Sequence, residues 1–222
     1  MKAAKIKLVK FFRDPMQMMV SGSGGYTWNT QQCQKLLDDI LRAGEDHSVS
    51  GHYIGTVIYV EHGILSRTPI PRYLLIDGQQ RLTTLSLIAL ALGGMNSWRE
   101  DPAGKEIRET VLFNPLGRGG FRNKLVLLTG EQDVFLSIIR GEPQPGGGSL
   151  LDNYLFIKGL LEKSGLDPQV VCRGMAKLTI MPVSTDRYYE NARTAYKNIE
   201  KTGLDEEQKN LITNWLGLLS SS

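Results

Sequence analysis

Leu74-Leu75-Ile76-Asp77-Gly78-Gln79-Gln80-Arg81 passes from a β-type run into a helical one through a single tight turn, and the fold is decided there. A strand that ends in Asp-Gly and runs straight into a helix gathers unpaired N–H groups and the positive end of a helix dipole at one point, which attracts anions. Gly78 admits a backbone conformation that a Cβ resists, so the turn is tight and a phosphate can approach the main chain. Arg81 adds a positive fork suited to phosphate oxygens. A carboxylate beside a phosphate repels it unless a divalent cation bridges them or a ribose hydroxyl intervenes, so Asp77 is assigned to Mg²⁺ or to a sugar. Gln79 and Gln80 suit hydrogen bonds to a base, a ribose or an attacking water, and Thr83 and Thr84 lie in the first turn within reach of the same phosphates. The segment also fits a capping box, with Asp77 capping the helix and Gln80 returning a bond to the backbone, and many such units bind nothing.

Upstream, Leu36, Leu37, Ile40 and Leu41 recur at helical spacing, which predicts a helix over 29–43 with Asn29 or Thr30 as cap and Gly44 as stop. Tyr53 to Val60 and Tyr73 to Ile76 read as two strands that pair, and Gln80 to Leu92 as a helix ending at Gly93-Gly94. From Asn96 to Asn123 the glycines and prolines predict loop with a short helix around Lys105 to Val111. Helices are expected at 132–139 and 149–162, separated by Pro143-Gln144-Pro145-Gly146-Gly147-Gly148, then a strand at 177–183 and helices at 191–199 and 206–219.

Composition narrows the class. Of 222 residues, 41% are hydrophobic and 22% charged, the balance of a folded globular chain. The net charge of +3 sets 26 basic against 23 acidic residues, so charge alone gives only mild support for a polyanionic partner. Cys33 and Cys172 lie far apart without metal-type spacing and read as reduced thiols, as in cytosol. No export signal follows the basic N-terminus and no apolar run has bilayer length, so a cytoplasmic protein without membrane contact is expected.

The string Leu75-Ile76-Asp77-Gly78-Gln79-Gln80-Arg81-Leu82-Thr83-Thr84-Leu85 resembles the signature of the N-terminal domain of GmrSD-type modification-dependent restriction enzymes. The likeness extends to Tyr26-Thr27-Trp28, the Leu36-Leu37-Asp38-Asp39-Ile40 helix, His52-Tyr53-Ile54-Gly55, and the blocks from Glu190-Asn191 to Leu211-Ile212-Thr213-Asn214. It implies an α+β fold with a ParB/sulfiredoxin-like mixed sheet and a helical second half. Residues 1–142 would form the nucleotide-binding region and 149–222 a helical region with one strand packed on it, together one composite domain. It further implies a domain that binds, and in several members hydrolyses, a nucleoside triphosphate with Mg²⁺ and licenses attack on modified or foreign DNA in antiviral defence. On that basis Asp77, Gln79, Gln80 and Arg81 are the expected catalytic residues. Gly78, Thr83, Thr84, Tyr26, Trp28 and His52 are expected to line the nucleotide, with Asp77 on the metal. Nuclease chemistry in such enzymes resides in a His-Asn-His-type domain, and nothing here matches it. A nuclease domain or subunit acting in trans is therefore the expected partner, and homo-oligomers are compatible.

The chain departs from the family pattern at Met19-Val20-Ser21-Gly22-Ser23-Gly24-Gly25, where a Tyr-Gln-Arg run is usual, and at Glu200, Asn210 and Thr213. Those positions keep packing better than chemistry, which leaves a second expectation: a DNA- or protein-binding module without turnover. The ParB-like fold carrying its own nuclease is a third, disfavoured because no second acidic or histidine cluster flanks the turn. Elsewhere, His47, His52 and His62 fit no zinc spacing. Tyr26 and Trp28 suit either base stacking or core packing. Arg108, Arg118, Arg122 and Lys124 suit either a phosphate backbone or a solvated loop.

Overall fold

A computed structural model describes residues 4–20, 25–61, 70–94, 101–163 and 165–185. Six strands in this set form one mixed sheet: β1 (Ile6–Lys7), β2 (Gln17–Val20), β3 (His52–Glu61), β4 (Arg72–Asp77), β5 (Leu125–Val126) and β6 (Leu178–Thr185). Their order is β1-β6-β3-β4-β2-β5. Strands β3 and β4 pair, as the sequence predicts, and do so antiparallel, whereas β2 runs parallel to both β4 and β5, and β6 parallel to β3. Seven α-helices accompany the sheet: α1 (Leu8–Arg13), α2 (Thr30–Glu45), α3 (Gln79–Gly94), α4 (Pro102–Leu112), α5 (Thr129–Arg140), α6 (Ser149–Lys163) and α7 (Pro168–Lys177). The chain is thus α+β with a helical second half. The helices predicted over 191–199 and 206–219 lie outside the described residues, as do Glu200, Asn210 and Thr213.

Helix α3 has no polar stripe, and every residue from Leu82 to Leu92 is buried. A helix apolar all round belongs at the centre of a core, and α3 packs against α4 and α6. Helix α2 starts where expected: Asn29 accepts from Gln32 N and the Gln32 side chain accepts from Asn29 N, a complete capping box. It does not stop at Gly44. That glycine lies inside the helix because a Cβ there would strike the backbone carbonyl of Val170 on α7, and a Cβ on Gly174 would likewise strike that of Ile40 on α2. The two glycines let α2 and α7 meet backbone to backbone, so Gly44 serves packing and not termination. The 96–123 stretch also holds more order than predicted. Asp101 accepts from Gly104 N and Pro102 takes the first helical position, extending α4 well before Lys105.

Lys124, which the sequence offers to a phosphate backbone or to a solvated loop, is 1% exposed and serves as neither. Its Nζ donates to Asp14 O (2.9 Å) and to Asn114 Oδ1 (3.0 Å). Asn114, also buried, binds the Met16 backbone through both its N–H and its carbonyl, which ties the loop before β5 to the start of β2. Burial pushes the Lys124 amine down to about 8 from 10.5, the Asp14 carboxylate opposing the shift. Below pH 8 both folded and unfolded chains hold the proton, and the folded state carries the whole cost of a buried charge. Between the two values only the unfolded chain keeps it, so stability rises with pH across that window. Relative to Lys124→Met, wild type should gain about 2 kcal/mol between pH 7 and pH 10 in urea unfolding. Parallel profiles for the two proteins would show that the amine is not depressed.

Cys33 and Cys172 are buried free thiols, and burial pushes Cys172 up to about 12, which keeps it unreactive. Among the described residues no helix is long and apolar enough to cross a membrane.

Candidate functional site

Strand β4 ends at Asp77, and Gly78 turns the chain with φ +93° into the first turn of α3. A Cβ on Gly78 would sit 3.1 Å from Val57 Cγ2, so the glycine is required by the approach of the turn to β3. The first intrahelical bond runs from Leu82 N to Gly78 O (3.0 Å). The N–H groups of Gln79, Gln80 and Arg81 therefore point out of the helix end, and no described residue accepts from them.

The capping box anticipated between Asp77 and Gln80 is replaced by another arrangement. Asp77 Oδ1 accepts from Gly78 N (2.7 Å), and Gln80 reaches away to a loop more than fifty positions earlier in the chain. Its Oε1 accepts from Thr27 N (2.9 Å) and Trp28 N (3.2 Å), and its Nε2 donates to Gly25 O (2.8 Å). Glu131 on α5 accepts from Tyr26 N, and Asn153 on α6 donates to Trp28 O (2.6 Å). Three helices thus clamp the 25–28 loop beside the turn. Glu131 and Asn153 escaped the sequence reading because their partners are over a hundred residues away.

Arg81 is held just as firmly. Nη1 donates to Ile54 O (2.6 Å), Nη2 donates to Thr56 O (2.6 Å), and Nη2 lies 3.6 Å from Asp77 Oδ2. These carbonyls belong to a stretch of β3 where the register with β6 shifts between Tyr53 and Thr56. Gly55 lies in that stretch with φ +110°, and a Cβ there would occupy the place of the guanidinium. The bulge and the arginine are two halves of one device: glycine opens the strand and Arg81 satisfies the carbonyls it turns aside. Two of the five guanidinium N–H donors are engaged this way, and the charge stays fixed beside Asp77.

The remaining expected residues sort by burial. Thr83 and Thr84 are buried, and Thr84 Oγ1 donates to Gln80 O (2.9 Å) and meets the Tyr26 hydroxyl (2.7 Å). Tyr26 is buried against Cys33 and Asn153, and burial raises its hydroxyl far above the ordinary phenol range. In this arrangement Thr84 and Tyr26 brace the turn from beneath, and Thr83 is buried beside them in α3. Trp28 packs half-buried on the core. His52 Nε2 lies 3.6 Å from Asp39 on α2, at the far end of the bulged stretch. Gln79 keeps a buried Oε1 with no hydrogen-bond partner among the described residues. Its position one residue past the turn is where a ligand donor would be met.

The chain matches the family described as GmrSD restriction endonuclease, N-terminal domain, over residues 25–217. It belongs to that family. The GmrSD N-terminal match takes in the turn, the clamped loop, the bulge and α3, and it assigns the chain to a restriction system. No curated protein matches the chain.

Proposed function

We propose that this GmrSD N-terminal domain binds a nucleoside triphosphate with Mg²⁺ at the Asp77 to Arg81 turn and uses it to sense modified or foreign DNA for a nuclease acting in trans. The observation that carries this reading is the open end of α3, where the N–H groups of Gln79, Gln80 and Arg81, unaccepted among the described residues, lie beside the fixed charge of Arg81. Phosphate oxygens suit such a point. The unpartnered Gln79 Oε1 supports it, since a buried acceptor at the mouth of a site is satisfied by a ribose hydroxyl, a base amine or a water. Among the described residues no three His, Cys, Asp or Glu side chains gather to hold a metal. That donor set fits Mg²⁺ arriving on the nucleotide and touching the protein through Asp77, the usual manner for this ion. Magnesium there would neutralise phosphate charge, and Gln79 would orient the sugar or the attacking water.

Arg81→Ala alone would mix a binding defect with loss of the bulge, so Asp77→Asn and Gln79→Ala are the cleaner variants. Calorimetric titration of ATP, GTP, CTP and UTP with Mg²⁺ should give binding in wild type and a loss of at least about tenfold, or about 1.4 kcal/mol, in each variant. Absence of binding to wild type by all four would overturn the proposal.

The bracing roles of Gln80, Thr84 and Tyr26 favour a second reading, a binding module that kept the frame and lost turnover. Phosphate release that tracks protein through purification and vanishes in Asp77→Asn would overturn it.

A further inference from the structure

We infer that the loop from Phe113 to Asn123 is a contact for duplex DNA, with Leu116 entering the base stack as a wedge and Arg118 and Arg122 holding the flanking phosphates. This rests on the chain acting on DNA and is independent of any nucleotide at the Asp77 turn.

Leu116 is 73% exposed, the most exposed large hydrophobic side chain among the described residues. A lone surface leucine is ordinary. This one stands on a loop held too firmly for a passive connection. Phe113 and Asn123 pair as an antiparallel bridge, Asn114 N donates to Arg122 O (2.7 Å), and Gly117 N donates to Asn114 O (2.9 Å). From below, the buried Asn114 donates to Phe121 O (2.9 Å) and Gln17 donates to Gly120 O (2.7 Å). Gly117 packs so closely on the Phe121 carbonyl that no Cβ would fit. The ordering cost of presenting Leu116 is therefore met within the fold.

Charge selects the partner. From Val111 to Gly130 the sequence contains Arg118, Arg122 and Lys124 and no acidic residue. Lys124 is buried, which leaves the two arginines at the surface. Arg122 lies over the Phe113 ring at 5.1 Å and Arg72 over Phe121 at 5.9 Å, so two planar cations are stacked and oriented at the base of the loop. Glu109, which lines the adjoining cleft, pairs with Arg108 at 3.5 Å. One apolar tip with arginines beside it is the equipment of proteins that unstack a base step and grip the phosphates on either side. The same composition would touch an anionic bilayer, yet a single leucine anchors weakly there, whereas one wedge is enough to open a base step.

Topology separates this loop from the nucleotide turn. Strands β2, β4 and β5 run parallel, so the loop entering β5 lies at the end of β4 marked by Arg72, opposite Asp77. Five residue steps along β4 set the two about 16 Å apart.

The test uses the whole chain and a short duplex carrying 2-aminopurine at a central TA step, read by anisotropy and by base fluorescence. Arg118→Ala with Arg122→Ala should weaken binding at least about tenfold and lower the salt slope by about two. Leu116→Ala should change affinity less than about threefold yet remove most of the fluorescence rise, and Leu116→Met should keep it. Unchanged affinity in the double variant, or a full fluorescence rise in Leu116→Ala, would overturn the inference. So would wild type that ignores the duplex while binding phosphatidylserine vesicles through Leu116. All three variant proteins should titrate nucleotide like wild type, so failure at the Asp77 turn leaves this result untouched.

Discussion

Gly55→Ala should lower stability by about 3 kcal/mol and detach Arg81 from the sheet. Two costs add at this position. The residue adopts φ +110°, which an L side chain rarely takes, and the new methyl would fall where the guanidinium sits. The strand can relieve the clash only by closing the bulge or by expelling Arg81, and either leaves the Ile54 and Thr56 carbonyls without their donors. Urea unfolding would record the loss, and the same variant should bind nucleotide at least about tenfold more weakly. A variant as stable as wild type would mean that the bulge tolerates a side chain and that Arg81 is not locked there. Stability lost with nucleotide affinity intact would separate the bulge from the site.

Gly174→Ala should be comparably severe, at about 3 kcal/mol, for a different reason. The position is helical and unstrained, and in an exposed helix alanine would stabilise it by up to about 1 kcal/mol. Here the methyl would meet the Ile40 carbonyl on α2, with Ile40 Cγ2 only 2.8 Å away, and backbone cannot rotate aside as a side chain does. Helices α2 and α7 must part, which displaces an element that carries the buried Val171, Cys172 and Met175. Thermal melts of Gly174→Ala beside Gly159→Ala, a helical glycine with open space around its added Cβ, would distinguish the cases, the second expected to be neutral or stabilising. Equal melting temperatures would refute backbone contact between α2 and α7.

What the sequence disclosed follows the range over which each feature is determined. Helices α2, α3 and α6 and strands β3 and β4 are set by local periodicity and end close to the predicted residues. The Asp77-Gly78 turn is equally local. Helix α7 was passed over although Asp167-Pro168 is a start signal, with Asp167 accepting from Gln169 N. Strands β2 and β5 escaped because two to four residues carry no period; each is a strand only because a neighbour supplies hydrogen bonds. At the candidate site, residue types drew attention to the turn but could not show which of its side chains are engaged within the fold. Gln80 and Arg81 looked like ligand contacts, yet their amide and guanidinium are committed to Gly25, Thr27, Trp28, Ile54 and Thr56. Such pairings join residues some 25 to 55 positions apart, and nothing in the local pattern encodes them. Gly55 was visible as part of the His52-Tyr53-Ile54-Gly55 block, but its bulge depends on register with β6.

Strand β4 runs from Arg72 to Asp77; β2 and β3 together hold it in register from Tyr73 to Leu75, and the register with β3 shifts between Leu75 and Asp77. A single-residue insertion there would turn every later side chain to the opposite face and carry Leu75 out of the core. The doubly paired stretch from Tyr73 to Leu75 therefore behaves as a fixed gauge length, and the one irregular residue is absorbed beyond it. Relatives of this domain are free to restyle the loops at either end, but within that stretch evolution can lengthen or shorten the span only in paired steps, with both flanking strands changing in concert.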